Sequence, residues 1–133
     1  MHRVFLGLTI AMCASCALDE PNRGESVSGV YFLRTVNGSP LPATTSGDVA
    51  NKTELLDDTF TLYDGFTYAE LAHVRVTVNG ITTTSAFTES GSFGTQGTSL
   101  TFRAAGTLVD RLATYSSNAL TFIEAGKTSV YKK

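Results

Sequence analysis

Residues 99–107, SLTFRAAGT, and residues 119–127, ALTFIEAGK, carry nearly the same pattern twenty positions apart. Each copy contains a leucine and a phenylalanine two residues apart: Leu100 and Phe102, then Leu120 and Phe122. Side chains two positions apart point to the same face of a β-strand. Each copy therefore predicts a strand with one apolar face, followed by a turn at Ala-Gly.

The same spacing recurs along the chain, with Tyr31 and Leu33 in GVYFLRTVNG and with Phe60 and Leu62 in TFTLYDG. Asn-Gly pairs suit two-residue hairpin turns, because both turn residues need a positive φ. Together the apolar pairs and the turn residues predict eight or nine strands. The stretch ELLDD at 54–58 leaves one helical turn open as an alternative there.

Sequential hairpins form an antiparallel up-and-down meander, which has two open edges unless it closes on itself. Closure of about eight strands gives a small barrel, whose interior holds side chains or one small ligand. The sequence therefore predicts an all-β fold, with the meander closed into a small barrel. A β-sandwich is the alternative that the same alternation allows.

The first fifteen residues have the layout of a secretory signal: a basic start, the apolar run VFLGLTIAM and then small residues. The run is shorter than the ~20 residues that a membrane-spanning helix needs. The segment resembles a bacterial lipoprotein signal, in which a cysteine becomes the lipid-bearing first residue of the mature protein. Cys16, which follows Ala14 and Ser15, fits that role. Ordinary cleavage after Ala17, giving a secreted or periplasmic protein, is the alternative.

Beyond the leader, residues 16–28 are polar and predict a flexible tether, and residues 29–133 form the predicted barrel domain. The stretches GVYFLRTVNGSPLP at 29–42, FTLYDGFTY, ESGSFG and the LTF strands resemble small bacterial envelope lipoproteins with a lipocalin-like (calycin-type) β-barrel. The resemblance implies a protein anchored to the cell envelope through an N-terminal lipid. It also implies the outer membrane, since Ala17 and not aspartate follows the lipidated cysteine.

The large apolar residues of the strands are predicted to face inward, either as core or as the lining of a ligand pocket: Tyr31, Leu33, Phe60, Leu62, Phe93, Leu100, Phe102, Leu120 and Phe122. The leading expectation is a non-enzymatic envelope protein that binds a small apolar ligand in its barrel. The alternative is a surface interaction or scaffold protein with a filled barrel and no small ligand.

Catalytic, metal and cofactor motifs are not predicted. The net charge of −2 and the scattered basic residues argue against a nucleic-acid partner, and no particular protein partner is indicated. His73 is predicted to be an exposed residue beside Glu70 or Arg75. The acidic residues Asp57, Asp58 and Asp64 lack calcium-loop spacing and are interpreted as solvated carboxylates at strand ends.

Overall fold

The computed structural model describes residues 26–133, which fold into ten antiparallel strands. The strands are β1 (Gly29–Val36), β2 (Ser39–Pro40), β3 (Ala43–Gly47), β4 (Lys52–Leu62), β5 (Thr67–Val78), β6 (Ile81–Gln96), β7 (Ser99–Ala104), β8 (Asp110–Ser116), β9 (Ala119–Glu124) and β10 (Lys127–Lys132). No helix in this part of the chain is long and apolar enough to cross a membrane. The predicted signal peptide, the lipidation site Cys16 and most of the tether lie outside the described residues.

Eight of the ten strands form a closed barrel. Strands β4 to β10 follow one another as a meander, and β1 closes the cylinder by pairing with β10 on one side and with β4 on the other. The closing contact joins Gly29–Phe32 to Thr59–Leu62. The short strands β2 and β3 attach to β1 and β4. The predicted all-β barrel is therefore confirmed, and residues 54–58 lie within β4 rather than in a helical turn.

Tight turns join the strands where the sequence predicted them. Asn79 and Gly80 have φ of 50° and 80°, as the two-residue hairpin turn between β5 and β6 requires. The turn between β6 and β7 is equally tight, because β6 continues to Gln96 and β7 begins at Ser99. Gly97, with φ of 60°, begins the reversal there.

Part of the sheet extends beyond the barrel wall, namely residues 52–58 of β4, which β1 does not reach, and the hairpin of β5 and β6 beside them. Strand β6 pairs with β5 along its length, but β7 pairs only with residues 91–96 of β6. Residues 71–78 of β5 and 81–88 of β6 therefore form what we call the projecting hairpin. It leaves the barrel near Gly91, where a Cβ atom would overlap the carbonyl oxygen of Arg103. Glycine permits this close approach between the two backbones.

We predict that Phe60→Ala lowers the free energy of unfolding by about 3–5 kcal/mol, because it removes a fully buried ring from the barrel interior. Phe32→Ala is the matched control, since the Phe32 ring is 45 % exposed on the outer face. It should cost about 1 kcal/mol or less. Chemical denaturation of both variants measures the difference. Equal losses would contradict the assignment of Phe60 to the core.

Candidate functional site

The nine residues predicted as core or pocket lining all lie inside the barrel. Each is at most 5 % exposed, and all belong to one continuous cluster. The cluster also contains Tyr68, Tyr115 and Tyr131, which the sequence did not single out. Alternation along the strands explains the arrangement, because each inward residue is followed by an outward one.

Aromatic rings pack directly against one another across the interior. The ring of Phe60 lies 5.1 Å from that of Phe122, 5.5 Å from that of Phe102 and 5.2 Å from that of Tyr131. The Phe102 ring lies 5.7 Å from that of Phe93. Ring centroids at these separations are in van der Waals contact. The barrel is thus occupied at this level by the protein's own side chains.

A charged layer covers one side of this aromatic cluster. Arg111 points inward from β8, and its guanidinium carbon lies 5.3 Å from the Phe60 ring centroid and 5.0 Å from that of Phe122. These distances are those of cation–π contacts. Its Nε donates to Oε1 of Glu124 at 2.8 Å, and one terminal nitrogen donates to Oε2 of Glu70 at 2.7 Å. Burial acts to lower the pKa of Arg111, but the hydrogen bonds and charges of Glu124 and Glu70 outweigh burial and raise the pKa.

Below the guanidinium lie two buried acids, Asp58 on β4 and Glu70 on β5. The Tyr131 hydroxyl donates to Oδ2 of Asp58 at 2.7 Å. Within the described part of the chain, Oδ1 of Asp58 receives no hydrogen bond from an N–H or a hydroxyl. The carboxyl groups of Asp58 and Glu70 interact by a side-chain hydrogen bond, which requires a proton on one of the two.

The two acids therefore share a proton. Burial, followed by the negative charge of Asp58, raises the pKa of Glu70 to about 8. Burial also raises the pKa of Asp58, although its hydrogen bond with Tyr131 opposes the change. Like charges this close cannot both be ionised at low cost. At neutral pH we assign the neutral state to Glu70, whose proton then bonds to Asp58.

The interpretation of Asp58 as a solvated strand-end carboxylate is wrong. It is 6 % exposed and lies in the middle of β4, two positions before the inward-facing Phe60. Its neighbour Asp57 points outward and hydrogen-bonds Nδ1 of His73 at 2.6 Å. His73 is partly exposed, but its partner is Asp57 and neither Glu70 nor Arg75.

Sequence reasoning also missed Glu70, Arg111 and Glu124 as members of one cluster. Period-two alternation could have found Glu70, which stands two positions after the buried Tyr68, and Glu124, which stands two after Phe122. Which of these charges meet depends on pairing between distant strands. The sequence alone does not give that pairing.

Polar groups on the outer face form separate pairs. Glu54 is bonded by Nζ of Lys52 at 3.0 Å and by Nε of Arg75 at 2.9 Å, and these bonds lower its pKa. Arg103 makes a two-point contact with Asp110 at 2.6 and 2.8 Å. In residues 26–133 no three His, Cys, Asp or Glu side chains are arranged to hold a metal ion.

The projecting hairpin presents an apolar face that the barrel does not cover. Val78 pairs across the hairpin with Ile81, and Ala72 pairs with Phe87, so these side chains lie on one face, of which only Ala72 is buried. Ile81 is 74 % exposed, Phe87 57 % and Val78 52 %. The opposite face carries mostly polar or short side chains. A two-faced hairpin of this kind can bind a partner through side chains and backbone.

No protein-family model matches the chain. No curated protein matches it either.

We predict that stability falls as the pH rises from about 4.5 to about 8. The Glu70 carboxyl keeps its proton up to about pH 8 in the folded protein, against 4.5 for an ordinary glutamate. The folded state thus binds more protons in this window, and the free energy of unfolding decreases as the pH increases. The steepest loss should approach about 1.4 kcal/mol per pH unit.

Glu70→Gln should flatten this dependence, because the amide stays neutral and can still donate to Asp58 and accept from Arg111. Asp57→Asn, one position from Asp58 on the outer face, is the control and should leave the slope in place. Denaturant titrations between pH 5 and pH 9 test both variants. A slope that survives Glu70→Gln would exclude Glu70 as its source.

Proposed function

We propose that this chain is a non-enzymatic, lipid-anchored protein of the bacterial cell envelope that acts by surface contact. The barrel is the rigid support and the projecting hairpin is the contact surface. No small ligand occupies the barrel in this proposal, which is the second of the two functions expected from the sequence.

The packing of the barrel interior is the observation that carries the proposal. An apolar ligand would have to displace rings that already lie 5.1 to 5.8 Å apart in mutual contact. The charged groups beside the rings are likewise committed to one another, since Arg111 is bonded to Glu70 and Glu124. Neither the aromatic layer nor the charged layer offers a free group to a substrate.

The outer surface offers more for recognition. Several shallow depressions lie on the outside of the barrel, one of them lined by Leu112, Thr114, Thr121 and Ile123. The projecting hairpin adds an exposed apolar face and an open strand edge, and features of both kinds are used in protein recognition. We therefore assign the contact to the hairpin.

Mass spectrometry of the intact protein from its native host tests the proposal. We expect the mass of the polypeptide with its lipid, without a small molecule retained in the barrel. A stoichiometric apolar ligand that is released when the protein unfolds would overturn the proposal in favour of a ligand-binding barrel.

Anchoring rests on the sequence around Cys16. We predict that Cys16→Ala abolishes lipid labelling and membrane retention, because no thiol remains at the attachment position. Cys13→Ala is the matched control and should still be labelled, since Cys13 is expected to leave with the leader. Labelling in the host with a radioactive or clickable fatty acid measures both. A labelled Cys16→Ala protein would refute lipid attachment at Cys16.

A further inference from the structure

The outer edge of the projecting hairpin has an open row of backbone hydrogen-bonding groups. The carbonyl oxygen of Ser90 accepts from the N–H of Ala105 at 2.9 Å, so Ser90 points its backbone groups away from β5. The backbone N–H and C=O groups of successive residues point alternately toward the two edges of a strand. The same outward direction therefore applies to Thr82, Thr84 and Ala86, and no strand within residues 26–133 pairs with them on that side.

We infer that this edge pairs with the same edge of a second copy of the chain. The inference rests on the proposed surface function and names its partner. Exposed edges are usually protected by charges, proline or a bulge. Residues 81–88, ITTTSAFT, contain neither charge nor proline, and their register with β5 is unbroken.

A two-fold axis at Thr84 gives the register of the pair. Thr84 then lies opposite Thr84 of the second copy and exchanges both backbone hydrogen bonds with it. Ile81 lies opposite Phe87 of the second copy, on the apolar face of the joined sheet. The pair is made twice by symmetry. Aromatic and β-branched side chains that face each other across strands stabilise such pairing.

The absence of charged residues along this edge also favours a partner of identical sequence. A symmetric antiparallel pair brings a segment against its own copy, so any charge in it would face or neighbour a like charge. The stretch from Ile81 to Thr88 has none, and Glu89 falls opposite Asn79 of the second copy in this register. The charge-free stretch and the open edge thus coincide.

The interface is small. Seven residues of edge pairing fall below the ~1,200 Å² of a standard stable interface, so we expect weak association in dilute solution. Attachment of both copies to one membrane would raise their effective concentration and favour the pair. The assembly closes at two copies, since each edge is used once.

Single cysteines test the register in the full chain carrying Cys13→Ser and Cys16→Ser, where no other thiol remains. Thr84→Cys places two thiols opposite each other at a spacing that a disulfide can bridge. Thr82→Cys is the matched control, because its opposite residue is Ala86 and its own copy lies four positions away. Under mild oxidation we expect Thr84→Cys to form the dimer roughly tenfold faster or more than Thr82→Cys.

Two further measurements complete the test. In an equal mixture of Thr82→Cys and Ala86→Cys chains, each variant should cross-link to the other, because these two positions lie opposite each other in the proposed register. Thr84→Pro should reduce the dimer in sedimentation equilibrium while leaving thermal unfolding unchanged, because the lost N–H faces solvent in the single copy.

Equal cross-linking of Thr82→Cys and Thr84→Cys, or a single-copy protein at every concentration, overturns the inference. The surface function would survive that result if another envelope protein bound the hairpin. A ligand found inside the barrel would instead overturn the proposed function, whatever the outcome of the cross-linking.

Discussion

Pairing of β1 with β4 is the constraint on which the rest of the structure depends. Without the contact between Gly29–Phe32 and Thr59–Leu62, the meander would be an open sheet with one polar and one apolar face, both exposed to solvent. Closure turns that apolar face into an interior of fixed width. A barrel of eight strands is just wide enough for side chains to fill it. Phe60, which sits on the closing segment of β4, lies at the centre of that filling.

The filled interior also explains why charge is tolerated inside. Arg111 is held over the faces of Phe60 and Phe122 and is bonded to carboxylates from β5 and β9. The proton shared by Asp58 and Glu70 reduces the excess of negative charge around the guanidinium. Truncation of one side chain would leave another charged group buried without a partner. The resulting loss of folding stability would exceed the net contribution of the intact pair. The cluster therefore links β4, β5, β8 and β9 across the interior.

Much of the fold could be predicted from the sequence because its signals are local. Asn79-Gly80 specifies a hairpin turn by its own backbone preference, and the spacing of Leu100 and Phe102 specifies a strand face. The charged cluster could not be predicted in this way. Glu70 meets Arg111 across forty-one positions of sequence, and only the closed cylinder brings them together. The projecting hairpin could not be predicted either, because it exists only where β7 is too short to pair with β6 beyond Gly91.

The position of β10 in the cylinder has a consequence for how the chain folds. β10 pairs with β1, so that Val36 lies beside Ser129, and its Tyr131 reaches across the interior to Asp58. Contacts of such long sequence separation form late and slowly, because the entropy of closing the loop must be overcome before they contribute. Until β10 has been synthesised, the nascent chain contains the aromatic side chains without the complete wall that encloses them.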